Sequence, residues 1–424
     1  MGAILLFLVA FVIVAAVPRA VRLTALLCLG VRAAIAIGSA ASRTGLYGAG
    51  EDGEFFLGKA IDIANGRAGG WSWSLLGGGH DGFTQVYGAI LALVGAPDDR
   101  YSIHLISLIG AAVCLLLLAK SWMLLLPDDT PGLKFVLIIY TLLPSLASNQ
   151  SYVLREGWQS AAVLLVFYTA LSWHRHGARP WHAVVGPLGV VLGGALHHSL
   201  PITMTLVGLL AIGLGQHLGL SLESIPPVRI VGAIVFTGAL LVLLSPVLAQ
   251  SSRFQELGSG ELIERTAAIV ERGTELKGDS RAFYGSFSDI GKPWTWPLGF
   301  AAYQLAPIPI LQARSPLDII VIGENALRLW LLRAWWRNRI AVAGVNRQPL
   351  NYAIGMWFTV ELAWSIGTIN WGTAIRHHAM GFSLLLLAGF VSHRSATACA
   401  KPAVRVRTGN RGRSPAQASP AESP

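Results

Sequence analysis

The sequence predicts an all-α, polytopic membrane protein, because few of its residues are charged and its apolar residues lie in long blocks. Only 13% of the 424 residues are charged, against about 25% in an ordinary soluble domain. Apolar residues make up 53% of the chain, and the mean hydropathy is +0.56. A soluble protein of this composition would lack the polar residues that its surface needs.

Several other classes of protein are excluded by the same sequence. The cysteines Cys28, Cys114 and Cys399 have neither the spacing of metal ligands nor the density of a disulfide scaffold. The sequence contains no Walker A loop and no dinucleotide-binding fingerprint. The basic C-terminal tail lacks the interleaved aromatic residues of a single-strand binder. We therefore expect no nucleic-acid partner.

Apolar stretches of suitable length predict about eleven transmembrane helices. A helix needs about 20 mainly apolar residues to cross a bilayer. The candidate stretches lie at 3–17, 21–40, 103–126, 133–148, 155–173, 181–198, 200–216, 229–249, 317–336, 350–369 and 379–392.

Positive charge orients these spans, because short connections rich in lysine and arginine stay in the cytoplasm. All the basic connections face the cytoplasm only if two apolar stretches, 83–96 and 296–313, do not cross. The first is short and the second contains three prolines, so both are predicted to be interfacial or re-entrant. The N-terminus is then outside and the C-terminus inside. The opposite N-terminal orientation, with 3–40 as one signal-anchor unit, stays open. The basic connections are Arg19 with Arg22, Arg175 with Arg179, Arg333, Arg337, Arg339 and Arg347, and the tail.

Six regions follow from this topology, and two of them are outward loops with amphipathic helical patterns. The first pattern is GEDGEFFLGKAIDIANG and the second covers residues 254–276. The regions are the N-terminal transmembrane helices (1–40), the first outward loop with amphipathic helices (41–101), the transmembrane bundle (102–249), the outward loop with amphipathic and re-entrant segments (250–316), the C-terminal transmembrane helices (317–392) and a disordered basic cytoplasmic tail (393–424).

Polar and charged residues from separate parts of the chain converge on the outer face in this topology. Charges near a membrane helix are costly and need a reason, and scattered residues would divide between the two faces. The converging residues are Glu51, Asp52, Glu54, His80, Asp81, Arg155, Glu156, His197, His198, Lys292, Arg376, His377 and His378.

Each of these residues also has an ordinary structural interpretation. Asp52 is placed to stabilise the N-terminus of an amphipathic helix, and Glu156 to pair with Arg155 where a span begins. His197 and His198 suit a polar turn, and adjacent side chains diverge on a helix, so the pair is not by itself a metal site. Arg376 follows a Gly-Thr turn at the mouth of a span, where a guanidinium suits a phosphate.

Four further charged residues fall within predicted spans, where each costs roughly 2.5–3.5 kcal/mol on insertion scales. Glu324 and Arg328 lie four residues apart on one helix and are predicted to pair with each other. Arg32 and Glu361 have no local partner. They either pair across helices or line a substrate path.

This collection of residues suits chemistry on a lipid phosphate. The lipid tail would lie in the bilayer while its headgroup reaches the polar residues of the interface. A carboxylate would deprotonate an acceptor hydroxyl, and cationic side chains would stabilise the departing phosphate. No nucleotide sugar is needed for such a reaction.

The layout resembles the GT-C superfamily of integral-membrane glycosyltransferases, which use polyprenyl-phosphate sugars and include the protein-mannosyl and aminoarabinosyl transferases. The similar segments are GEDGEFFLGKAIDIANG, VYGAILALVGAPDDRYSIHLISLIGAA, NQSYVLREGWQSAAVLLVF and GTAIRHH. The resemblance implies that Asp52 is the catalytic base, with Glu51 or Glu54 as a substitute, and that Arg155 and Arg376 bind phosphate. It also implies a bacterial plasma-membrane protein whose active site faces the periplasm or the exterior.

The resemblance leaves other functions open, since two apolar stretches precede Asp52 and no large soluble C-terminal domain follows. The sugar would pass from the polyprenyl phosphate to a cell-envelope glycan or lipid acceptor. An O-antigen or exopolysaccharide polymerase or ligase, acting on polyprenyl-pyrophosphate-linked oligosaccharides, is the main alternative. A flippase of lipid-linked sugars is a third, although no repeat symmetry is visible. A divalent cation, Mg²⁺ or Mn²⁺, is a candidate cofactor, but the carboxylates lack a diagnostic spacing.

Overall fold

A computed structural model describes residues 1–43, 49–67, 80–177, 179–196, 296–307, 313, 315–340, 342, 344–365, 368 and 371–400. Across these ranges the chain forms α-helices and no β-strand, which confirms the predicted all-α class. The helices are α1 (Gly2–Ala15), α2 (Arg22–Ser42), α3 (Ala49–Ala64), α4 (His80–Leu93), α5 (Arg100–Leu125), α6 (Thr130–Leu142), α7 (Pro144–Asn149), α8 (Glu156–His176), α9 (His182–Leu196), α10 (Trp296–Leu305), α11 (Pro316–Asn338), α12 (Gly344–Ser365) and α13 (Trp371–Ala400).

Three helices of the described ranges are long and apolar enough to cross a membrane. They are Arg19–Ser42, Arg100–Leu125 and Gly372–Thr397. Four shorter apolar helices accompany them: Gly2–Ala15, Gly82–Leu93, Thr130–Leu142 and His182–Leu196. These helices give the chain the character of a membrane protein.

The structure does not supply the predicted eleven spans. The predicted spans 200–216 and 229–249 lie outside the described residues. Helix α11 is as long as a transmembrane helix, but it is not apolar enough to be one of these three, because it contains charged residues such as Asp318, Glu324 and Arg328. The sequence prediction gave a larger number of spans, because it included apolar stretches that are short or contain several charged residues.

Helices α5 and α13 form the centre of the packed structure. Helix α5 is buried along most of its length, and it packs against α1, α2 and α8. Helix α13 packs against α8, α11 and α12. A side chain at Gly110 would lie 3.3 Å from Gly157 and from the Trp158 ring, so glycine allows α5 and α8 to approach closely here.

The predicted span 133–148 is two helices, because Pro144 interrupts it. Proline has no N–H to donate to the carbonyl four residues earlier, which belongs to Tyr140. Arg32 of α2 replaces that donor, since its Nη2 lies 2.6 Å from the Tyr140 oxygen. Its Nη1 also donates to the Leu146 carbonyl. Of the two alternatives for Arg32, pairing with Glu361 is therefore wrong: the arginine satisfies the Tyr140 carbonyl freed by the break and shares the Leu146 carbonyl with the backbone N–H of Gln150.

Helix α13 is longer at both ends than the predicted span 379–392. It begins at Trp371 and continues to Ala400, so the first residues of the predicted disordered tail are helical. Arg394, near this end, forms an ion pair with Asp129 at the start of α6. The remainder of the tail, residues 401–424, and the predicted amphipathic helix 254–276 lie outside the described residues.

Candidate active site

Helix α3 carries Asp52 to the edge of the packed bundle. Phe56 and Ala60 are buried against α4, and the Phe56 ring meets that of Phe83 edge-on with centroids 5.4 Å apart. Asp52 lies one turn before Phe56 on the same side of α3. The packing of Phe56 therefore places the carboxylate where the buried face ends, and half of the Asp52 side chain is exposed.

Asp52 forms an ion pair with Arg376 of α13, a residue 324 positions later in the sequence. The Arg376 side chain is only 13% exposed, and its Nε is buried without a hydrogen-bond partner. The structure corrects one detail of the sequence prediction. Gly372 and Thr373 do not form a turn before the span, because they belong to the first turn of α13 itself. The backbone N–H groups of a first turn have no partner within the helix, so glycine is tolerated there.

Glu54 is held more tightly than Asp52. Arg100, the first residue of α5, donates to both carboxylate oxygens of Glu54, with Nη1 3.0 Å from Oε2. The Tyr152 hydroxyl donates to Glu54 from 3.3 Å. Burial raises the pKa of Tyr152, and the nearby Glu54 carboxylate raises it further, so the phenol keeps its proton at neutral pH. Glu54 is thus engaged by two donors and less available for proton transfer.

Gly53 allows the close contact between α3 and the segment that precedes α8. A Cβ at this position would collide with the ring of Tyr152. The same ring packs edge-on against His104 of α5 with centroids 5.0 Å apart. The glycine between Asp52 and Glu54 therefore allows α3 to pack directly against the Tyr152 ring.

Arg155 and Glu156 begin α8 beside this cluster. Arg155 Nη1 lies 3.5 Å from the Leu196 carbonyl at the end of α9. Glu156 is buried, and its Oε2 has no hydrogen-bond partner. Both Glu156 and Asp52 lie within electrostatic reach of Arg376. The guanidinium therefore sits between one exposed and one buried carboxylate.

The two histidines after Arg376 point to different surroundings. His377 Nδ1 lies 2.8 Å from the Thr368 hydroxyl, and its ring stacks on Trp364 with centroids 4.2 Å apart. His378 is buried and its Nδ1 contacts the Glu361 carboxylate. Its Nε2 lies 3.1 Å from the carbonyl oxygen of Tyr303.

Behind the site lies a buried polar network, formed by Glu361, His378, Gln304 and Arg328. Gln304 of α10 donates to Glu361 at 2.8 Å and accepts from Arg328 Nη1 at 3.2 Å. Arg328 also donates to the Gln304 carbonyl at 3.1 Å. Glu324 was predicted to pair with Arg328, but the structure shows its carboxylate accepting from the backbone N–H of Ser145 at 2.8 Å.

Other predicted site residues are described incompletely or not at all. Glu51 lies in α3, and His80 and Asp81 begin α4, but their side chains are outside what the structure describes. His197, His198 and Lys292 lie outside the described residues altogether. Within the described ranges, no three His, Cys, Asp or Glu side chains come together as a metal site.

Sequence reasoning missed three residues that the structure places in or behind the site. Arg100 follows the acidic pair Asp98 and Asp99, which made it resemble an ordinary charged loop. Tyr152 and Gln304 carry no formal charge, so the cost argument that selected membrane-embedded charges did not reach them. Only their partners identify them.

Comparison of the chain with protein families, with characterised proteins and with solved structures finds no match.

Proposed function

We propose that this protein is an integral-membrane glycosyltransferase that moves a sugar from a polyprenyl-phosphate donor to a glycan or lipid acceptor of the cell envelope. The observation that carries the proposal is the Asp52–Arg376 ion pair, which places an exposed carboxylate against a largely buried guanidinium. Transfer from a lipid phosphate requires a base for the acceptor and a cation for the leaving phosphate. The two residues supply one of each.

The proposed reaction assigns one role to each partner. The Asp52 carboxylate takes the proton of the acceptor hydroxyl while the hydroxyl oxygen bonds to the anomeric carbon of the sugar. The bond from that carbon to the donor phosphate oxygen breaks, and the lipid phosphate leaves. Arg376 binds the departing phosphate, which it suits by its planar, bidentate geometry. Arg155 would reinforce the positive charge of the phosphate site.

Arg376 cannot bind a phosphate fully while it holds Asp52, so donor binding would exchange one anion for another. The donor phosphate is a diester with a single negative charge, like a carboxylate, and its two unesterified oxygens suit the guanidinium; its charge rises when the bond to the sugar breaks. Asp52, released from its partner, would then be free to accept a proton. On this proposal the base becomes available only when the donor is in place.

The topology belongs to the same proposal. About eleven spans, with the C-terminus in the cytoplasm, would set α3 and the start of α13 on the outer face of a bacterial plasma membrane. Polyprenyl-phosphate sugars reach that face, whereas nucleotide sugars do not. The acceptor would approach from the exterior.

The test is transfer from a radiolabelled polyprenyl-phosphate monosaccharide by the purified protein in lipid nanodiscs. Asp52→Asn keeps the shape of the side chain and removes the base, so we expect a loss of roughly 10²–10⁴-fold in rate. Asp62→Asn is the matched control: Asp62 is an exposed carboxylate on the same helix, 3.9 Å from Arg67. That variant should keep the rate of the unaltered protein.

Full turnover by Asp52→Asn would remove Asp52 as the base. Elongation of pyrophosphate-linked oligosaccharides, with no consumption of the monosaccharide donor, would instead identify a polymerase or ligase. In that event, the arginines that face the site would carry the chemistry, with Arg376 and Arg155 the first to substitute.

A further inference from the structure

Two adjoining cavities along helix α11 share a pair of arginines. The larger has a volume of about 610 Å³ and the smaller about 310 Å³. We call them together the arginine–tryptophan groove. The groove is lined by Trp330, Arg333, Trp336 and Arg337 of α11 and by His393 of α13.

The groove lies at the far end of the bundle from the candidate active site. His393 follows Arg376 on the single helix α13, and at 1.5 Å per residue the two are about 25 Å apart along the axis. The basic connection after α11 belongs to the face predicted to be cytoplasmic. A ligand here would therefore meet the membrane on the opposite side from Asp52.

The spacing of the groove residues combines charge with aromatic surface. Trp330, Arg333 and Arg337 follow one another at intervals of three and four, so they share a face of α11. The Trp330 ring packs against Phe390 and His393 of α13, with centroids 5.2 and 5.6 Å apart. These contacts form a wall that joins the two helices.

Trp336 forms the exposed part of the groove. Its side chain is 59% exposed, and the Arg339 guanidinium lies 3.2 Å from the centre of its ring. A large aromatic surface with a polar tip suits the level of the lipid headgroups, where tryptophan is enriched. The cation above the ring adds to the positive charge of this surface.

Arg333 and Arg337 have no acidic partner among the described residues. Like charges four residues apart on a helix repel each other. The helix dipole favours Arg337, which lies in the last turn of α11. It does not account for Arg333. An anion bound between the two guanidiniums would remove the repulsion.

We propose that the arginine–tryptophan groove binds the headgroup of an anionic phospholipid from the cytoplasmic leaflet. The lipid phosphate lies between Arg333 and Arg337, which suit it by bidentate hydrogen bonding. The part of the acyl chains nearest the headgroup lies along Trp330 and Trp336. The charge of the groove selects an anionic headgroup, and its aromatic walls select a lipid over a free anion. This proposal does not depend on the transferase activity.

The test measures the binding of radiolabelled phosphatidylglycerol to the full chain purified in dodecylmaltoside, with phosphatidylcholine as the neutral comparison. We expect at least a tenfold preference for phosphatidylglycerol. The double variant Arg333→Gln/Arg337→Gln should lose that preference, and because both side chains are exposed, it should remain folded. Arg19→Gln removes an exposed arginine from the same predicted face and should keep the preference.

Further arms of the experiment separate the alternatives. Arg333→Lys/Arg337→Lys keeps the charge without the bidentate geometry, so it should retain part of the affinity. Equal binding of the two lipids, or an unchanged preference in the glutamine variant, would overturn the proposal. Displacement of the lipid by millimolar inorganic phosphate alone would also overturn it, since the groove would then be a site for a free anion.

Discussion

Asp52–Arg376 and Glu361–His378 each pair a carboxyl group with a basic side chain of helix α13, and the two basic residues lie within one turn, but solvent reaches the two pairs very differently. Half of the Asp52 side chain is exposed, whereas Glu361 is completely buried and His378 nearly so. An exposed ion pair contributes about 0–1 kcal/mol and can exchange its partner. A buried pair cannot separate without leaving a charge out of water. The first is suited to chemistry and the second to holding α13 in place.

The hydrogen bonds of the buried pair also fix how many protons it holds. The Tyr303 carbonyl can only accept, so His378 Nε2 must donate to it. The other ring nitrogen faces the Glu361 carboxyl group. One proton must therefore lie between that nitrogen and the carboxyl oxygen, on whichever atom it resides. Asp52 has no comparable constraint, because water can complete its hydrogen bonds.

The largest effect that separates the two pairs is expected from Glu361→Ala. Removing the carboxylate leaves the buried polar groups of His378 and Gln304 without their partner and removes a negative charge near Arg328, at a cost of about 3–5 kcal/mol. Asp52→Ala removes the carboxylate of the half-exposed pair and should cost less, because water can reach the vacated position. Thermal unfolding of both variants in dodecylmaltoside measures the difference. Equal losses of stability would break the comparison.

A smaller effect is expected from Glu361→Gln, which keeps the shape of the buried side chain. Its amide can donate to His378 or accept from Gln304, but it cannot replace the carboxyl group in every contact. One unsatisfied buried group costs about 1–3 kcal/mol. The unfolding temperature of Glu361→Gln should therefore lie between those of Glu361→Ala and the unaltered protein. A variant as unstable as Glu361→Ala would show that the charge, rather than the hydrogen bonds, holds the pair.

The smallest effect concerns a third pair, Asp129 with Arg394, at the opposite end of α13. The hydrogen bond from Arg394 holds the pKa of Asp129 below its ordinary value of 3.8, assisted by the backbone N–H of Gly132 and opposed by partial burial. A depressed pKa contributes stability above the unfolded-state pKa, and that contribution is lost as the pH falls through the folded-state value. The Asp129→Asn variant should lack this dependence.

The measurement is the unfolding midpoint of both proteins between pH 7 and pH 3. Their difference should stay constant down to about pH 5 and shrink as the pH falls below about 4, because the unfolded protein takes up a proton on Asp129 at a higher pH than the folded protein does. A difference that does not change with pH would show that the pair contributes nothing through ionisation. Because Arg394 is 46% exposed, the effect is small and weakens with salt.

Much of the helical framework could be predicted from local sequence. Apolar runs predicted α1, α2, α5, α8 and α9 to within a few residues, because helix length and hydropathy are local properties. The break at Pro144 follows from a residue visible in the sequence, although the prediction passed over it. The extra turns of α13 were missed because polar residues such as Arg376 and His377 do not look like part of a span.

The candidate site could be predicted less completely. Asp52, Arg376 and Glu156 were selected from the sequence because charges near a membrane need a reason. Arg100 and Tyr152 were not selected, since nothing in the local pattern distinguishes them from loop residues. Their importance depends on Glu54, whose position depends in turn on how α3 packs against α4.

The sequence by itself determined that this chain is helical, rich in apolar segments and equipped with acidic and basic residues near its helix ends. These properties depend on neighbouring residues and on the cost of exposing apolar surface to water. Only the tertiary structure decided the partners: Asp52 meets Arg376, Glu361 meets His378 rather than Arg32, and Arg32 meets the Tyr140 carbonyl freed by Pro144. Such contacts depend on how helices cross. Helix crossing is set by the packing of whole faces, which no local pattern encodes.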